Sequence, residues 1–180
     1  MTLNNLSFKK IIRTMTFDNS KTIIAMRIRL FITTVLLLAY IILTYIAEII
    51  KFPVAGINDT VLTIILVGAY FLFVFYPMVL NYQYIFYSDE GDKIIFRFFT
   101  AGIIGGKKNL IEINKVDFAG YRKERKLFGL IQSIILFHQM PEGVAMYPPV
   151  YISILSSKER AKILHSLYLL TPGDATEVKK

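Results

Sequence analysis

The sequence predicts a membrane α-hairpin followed by a mainly β domain closed by a C-terminal helix. Three observations predict it. Two segments, 30–50 and 61–80, are apolar over about 20 residues, the length a helix needs to cross a bilayer's hydrocarbon core. After residue 80 the pattern changes to short runs rich in Ile, Phe, Tyr and Val, separated by turn residues. After Ser156 a helical spacing returns.

Residues 1–20 form a basic segment. On a helix, Phe8, Ile12 and Met15 would share one face, with Lys9 and Arg13 on another. Such a segment is expected either as an interfacial helix in the headgroup layer or as a loose tail that only sets topology. Asp18, Asn19 and Ser20 offer N-cap residues. A helix from near Lys21 to about Ile50 would carry Arg27 and Arg29 at the inner interface. The interface set is therefore Lys9, Lys10, Arg13, Arg27, Arg29 and Tyr82. Glu48 and Lys51 are spaced i, i+3 and are expected to pair at the outer end. Glu48 there reaches water; an intramembrane ion or proton site is the competing reading.

Residues 51–60, with Pro53, Gly56 and Asn58-Asp59, read as a short turn. The hairpin, 21–80, thus has antiparallel neighbouring spans. Gly68-Ala69 would permit close helix contact, and Phe71, Phe73 and Phe75 suit partner helices or lipid. Pro77 kinks or ends the second span. Tyr76, Tyr82 and Tyr84 fall where an inner aromatic belt is expected. Six Lys/Arg precede residue 30 and one, Lys51, lies between the spans, which puts both termini inside. The first span is expected to act as an uncleaved signal anchor.

The soluble part, 81–170, reads as six or seven short strands and one helix. Residues 82–88 and 93–100 make a hairpin around Asp89-Glu90-Gly91-Asp92. Residues 109–114 and 115–122 are strands, 123–129 interrupt with charge and glycine, and 131–139 and 150–155 are further strands. Ser156 and Glu159 have capping-box spacing. Ala161, Leu164, Leu167 and Tyr168 would share the packed face of the closing helix. Residues 171–180 read as a disordered polar tail. An antiparallel sandwich or partly open barrel covered by that helix accounts for this order.

The stretch 111–136, IEINKVDFAGYRKERKLFGLIQSIIL, with its basic run, its apolar-apolar-Gly turn at Gly129 and its flanking strands, resembles the bacterial pleckstrin-homology-like (PH-like) domain. Residues 151–167 look like that family's last strand and capping helix. The resemblance covers 82–170 and implies a seven-stranded β-sandwich or barrel capped by a helix. Two spans followed by such a domain is also a family arrangement, which implies a bacterial inner membrane. Tyr147-Pro148-Pro149 departs from the pattern and leaves the sixth strand open. The Lys-x-Arg pattern of inositide-binding relatives is not evident between the first two strands, so inositide recognition does not carry over.

Little in the chain points to reaction chemistry. There is no cysteine and there are two histidines, His138 and His165, in no metal-ligand spacing. The run 102–107 lacks the ending of a phosphate loop. No cofactor and no small-molecule substrate is expected. Residues 81–180 hold fourteen basic and ten acidic residues with no long basic run, which disfavours nucleic acid. The binding candidates are Arg122, Lys123, Arg125 and Lys126, joined by Lys107 and Lys108. Their expected partner is membrane lipid or protein, against a plain solvated loop. The reading is a non-enzymatic tether for an interaction domain, as an accessory or scaffold subunit with a membrane-protein partner or as a homo-oligomer. The alternative is an anionic-lipid sensor.

Overall fold

A computed structural model describes residues 14–54, 56–101 and 106–172. Phe8, Lys9, Lys10, Ile12, Arg13, most of the glycine run 102–107 and the tail from 173 lie outside the described residues.

Helix α1 (Ser20–Ile41) continues as one π-helical turn, Ile42–Ile46. Helix α2 spans Asp59–Val79. The Asn58 side chain caps α2 by accepting from Val61 N at 2.9 Å, and Asp59 sits favourably in its first turn. Pro77 lies in the last turn, and the helix ends two residues later. Both helices are long and apolar enough to cross a membrane, and only 6% of the apolar stretch of one and none of the other is buried. They meet through hydroxyl groups. Thr34 Oγ1 and Tyr70 OH are 3.0 Å apart, and Thr63 Oγ1 lies 2.9 Å from Tyr40 OH and 2.7 Å from Tyr45 OH.

Two expectations for the hairpin change. The first helix stops at Ile46 rather than Ile50, and Glu48 has a left-handed backbone (φ 51°). Helical i, i+3 spacing therefore never brings Glu48 to Lys51, and the two form no ion pair. Gly68 has open space where a Cβ would stand, so it faces away from α1 and mediates no close contact.

The β domain consists of two antiparallel sheets. The first orders β1 (Thr16–Asp18), β2 (Gln83–Ser88), β3 (Lys93–Thr100) and β4 (Asn109–Asn114). The second orders β5 (Phe118–Lys126), β6 (Ile131–Met140) and β7 (Gly143–Met146), with β8 (Val150–Tyr151) paired to the other half of β6. Helix α3 (Ser157–Leu170) closes the domain. Alternating side chains supply the core: Ile85 and Tyr87; Ile94, Phe96 and Phe98; Ile111 and Ile113; Ile134 and Leu136. Ile163 and Leu167 of α3 cover it.

Several local readings are corrected. Thr16–Asp18 is a strand on β2, and Met15 and Phe17 pack against the β core, so this part of 1–20 is not an interfacial helix. A 3-10 turn, Lys115–Asp117, precedes β5, and β5 then runs through the charged residues to Lys126, because charge can alternate across a strand end without breaking the ladder. Only Val150–Tyr151 of 150–155 is strand; Ile152 and Leu155 enter the core from a turn. The capping box of α3 forms, and Leu164 and Leu167 pack on the core as expected, but they are joined there by Ile163 and Ser166, while Ala161 and Tyr168 are exposed.

Candidate functional site

Asn19 lies between β1 and α1, and its position decides how the hairpin meets the sheets. Its backbone N–H donates to Ile85 O (3.3 Å), and its own C=O accepts from Thr22 N and Ile23 N in the first helical turn. Its carboxamide, chemically a peptide group, carries the β1–β2 ladder one step further. Nδ2 donates to Gln83 O at 3.0 Å, and Oδ1 accepts from Ile85 N at 2.8 Å. Asn19 is 2% exposed. The residue is the N-cap by position, yet its side chain serves the sheet, and Asp18 Oδ1 takes Ser20 N instead.

Gln83 extends the stitch to the second sheet, because its Oε1 accepts from Tyr151 N at 2.9 Å. Tyr151 pairs with Ser133, and Ile152 N donates to Gln132 O. On the next strand, Glu124 faces Ser133, Arg125 faces Gln132 and Lys126 faces Ile131. The end of β5 and the start of β6 therefore lie at the helix-proximal end of the domain. The β3–β4 connection joins them there: Ala101 N donates to Tyr82 O, and Lys107 and Lys108 lead directly into β4, whose first residue pairs with Phe98. Tyr82 packs edge-on against Tyr76 at 6.0 Å, whereas Tyr84 belongs to the sheet and stacks on Phe99.

Strand geometry divides the basic run. Arg122, Glu124 and Lys126 share one face, where Glu124 pairs with Arg122 at 3.2 Å and with Lys126 at 3.7 Å. The Arg122 guanidinium also lies over the Phe137 ring at 5.7 Å, which makes it a packing residue as much as a charge. Lys123 and Arg125 occupy the other face, the one from which Tyr121 OH reaches Leu164 O of α3. Burial holds the Lys123 ammonium below the usual lysine range, and the charges of Arg125 and Arg160 push the same way. Arg160, on α3, is a member of the site that no contiguous motif announces.

The turn between β5 and β6 presents a second feature. Leu127 (φ 51°), Phe128 (φ 55°) and Gly129 (φ 88°) are all left-handed, a conformation costly for the first two. Leu127, Phe128 and Leu130 are exposed, Phe128 fully at 107%. The sequence shows this stretch as a turn; it does not show that its side chains lack any cover.

On α1, Arg27 and Arg29 are exposed and form no ion pair among the described residues. Continuing the Thr34–Tyr70 register of the antiparallel helices puts them level with Pro77 and Phe75.

The opposite end of the domain is tied differently. Asp89, 1% exposed, accepts from Met15 N, from Ser166 Oγ and, at 3.4 Å, from Tyr87 OH; Tyr87 OH and Ser166 Oγ are 2.6 Å apart. This network binds the start of β1, the end of β2 and α3 together. Burial and the adjacent Asp89 raise the Tyr87 phenol well above its ordinary range. His138 stacks on Tyr147, with Nδ1 3.3 Å from its hydroxyl. Among the described residues no group of three His, Asp or Glu side chains converges to hold a metal ion.

No protein-family model matches the chain, and neither a curated protein nor a solved structure matches it.

Proposed function

We propose that this protein is a non-enzymatic bacterial inner-membrane protein that tethers a cytoplasmic PH-like interaction domain, as an accessory or scaffold subunit of a membrane complex. The observation that carries the reading is the uncovered apolar surface of α1 and α2. A core helix of a water-soluble protein buries its apolar side chains against the fold; these helices leave Phe31, Leu36, Ile64 and Leu72 exposed around their circumference. Lipid is the solvent in which that surface costs nothing. Arg27 and Arg29, level with the last turn of α2, suit the inner headgroup layer and agree with cytoplasmic termini. The PH-like reading is supported by the seven strands in two antiparallel sheets that the described residues form between Gln83 and Tyr151, followed by α3.

The stitch through Asn19, Gln83 and Tyr151 gives the tether its use. A flexible linker would let the domain tumble, whereas direct hydrogen bonding fixes it to the helices. A partner seated on the helices and another seated on the domain would keep a set geometry. The test is gentle extraction of the tagged full chain from native membranes. A second polypeptide in fixed ratio, lost when the hairpin is replaced by an unrelated one, supports the subunit role; the protein alone overturns it.

Lipid sensing is the second reading, favoured by the cations gathered at the helix-proximal end: Lys108, Lys123, Arg125 and Arg160. Each cation near an anionic leaflet contributes about 1 kcal/mol. Charge reversal of Lys123 and Arg125 that leaves anionic-lipid association unchanged would remove this reading.

A further inference from the structure

We propose that the β5–β6 tip, Leu127, Phe128 and Leu130, inserts into the anionic leaflet of the same membrane that holds the hairpin, as a second, monotopic contact. The inference rests on reading α1 and α2 as membrane spans.

Position is the first argument. Gln83 stands four residues after the end of α2 and bonds to Tyr151, whose partner Ser133 lies three residues from Leu130. A strand advances about 3.3 Å per residue, so the tip is reached within roughly 10–15 Å of that bond. It belongs to the end of the domain that faces the leaflet. Chemistry is the second argument. Three large apolar side chains, one of them without any cover from the protein, stand beside exposed Arg125 and Lys126. An apolar point collared by cations fits an anionic lipid surface better than it fits water. Backbone conformation is the third. Leu127 and Phe128 hold left-handed angles that an ordinary hairpin would give to Gly or Asn. That geometry turns the side chains outward at an energetic cost, and a contact outside the fold accounts for it.

The native chain has no cysteine, so single thiols can be introduced without background. Full-length Phe128→Cys is labelled with a fluorophore and reconstituted into vesicles of phosphatidylcholine and phosphatidylglycerol. Quenching is read from nitroxide-labelled lipid and from aqueous iodide. Leu36→Cys, exposed on α1, is the lipid reference; Val116→Cys, 90% exposed in the turn after β4, is the water reference. The expected result is lipid quenching at 128 severalfold above that at 116, with iodide quenching correspondingly reduced. In Arg125→Glu/Lys126→Glu, lipid quenching at 128 should fall toward the value at 116. Equal behaviour of 128 and 116 overturns the proposal. A label at 128 shielded from both quenchers also overturns it, since a protein surface would then cover the tip. If Leu36→Cys itself reports water, the membrane reading fails first and takes the proposal with it.

Discussion

Phe96 in β3 and Leu72 in α2 are both large apolar side chains within regular elements, yet the first is wholly buried and the second is 76% exposed. The contrast extends to their surroundings. The β domain joins two sheets and a helix around one continuous core, with period-2 alternation deciding which residues enter it. Among the described residues the hairpin has no core cluster of its own, and its helices touch through Thr34, Tyr40, Tyr45, Thr63 and Tyr70. One region expels water from its interior; the other carries apolar surface outward and relies on the medium around it. The two regions should therefore respond very unequally to loss of apolar volume.

The largest expected effect sits in the β core. Phe96→Ala removes a ring packed at 4.7 Å from Tyr87 and should destabilise the domain by about 3–5 kcal/mol, read by denaturation of the full chain in detergent micelles. A loss below about 1 kcal/mol would contradict a tightly packed core.

The junction comes next. Asn19→Ala leaves Ile85 N without its acceptor and Gln83 O without a donor, both in a buried setting. A cost of about 2–3 kcal/mol is expected. Asn19→Asp keeps the acceptor but sets a buried carboxylate oxygen against the Gln83 carbonyl, so at neutral pH it should cost at least as much as Asn19→Ala. Hydrogen exchange at Ile85 would locate the loss at the seam rather than in the core.

At the far end, Tyr87→Phe removes the hydroxyl shared by Ser166 and Asp89 and should cost about 1–2 kcal/mol at neutral pH. It should also alter the alkaline limb. Tyrosine in the unfolded chain titrates near pH 10, and burial raises the folded value. Below about pH 10 both states are protonated, and the residue adds no slope. Above it the unfolded chain ionises first, so stability falls as pH rises, by up to about 1.4 kcal/mol per pH unit. The difference between native and Tyr87→Phe profiles isolates this term from Lys123, whose lowered value acts with opposite sign. A Tyr87→Phe limb as steep as the native one would show that Tyr87 is not the group responsible.

The architecture was legible where periodicity is strong. The two apolar runs, the β hairpin around Asp89–Asp92 and the capping box of Ser156 and Glu159 all follow from spacing. What escaped the sequence depends on pairing between distant residues. Thr16–Asp18 is only three residues long and becomes a strand because β2 offers it an edge, with the whole hairpin between the two strands. Asn19 looks like a helix cap, and nothing local says that its amide extends a ladder. The basic run 122–126 looks like one patch, but a strand's alternation sends Arg122 and Lys126 to Glu124 and sends Lys123 and Arg125 toward Arg160. Leu127-Phe128-Gly129 announces a turn, while its exposure depends on what the rest of the fold fails to cover.

The smallest expected effect is the sharpest test of the contrast. Leu72→Ala deletes about as much apolar side chain as many core truncations, and α2 is a good helix with alanine as well as leucine. In micelles its surroundings are apolar whether the protein is folded or not, so no water-exposed surface is created or lost. The expected change in stability is within about 0.5 kcal/mol. A cost approaching that of Phe96→Ala would mean that Leu72 is covered by protein in the micelle, either by a second copy or by a co-purified subunit. Repeating the measurement over a range of protein concentrations separates these: self-association makes the cost grow with concentration, and a tightly bound subunit leaves it constant. A null effect of Leu72→Ala beside a large one of Phe96→Ala is the outcome that lipid, rather than protein, as the neighbour of α2 requires.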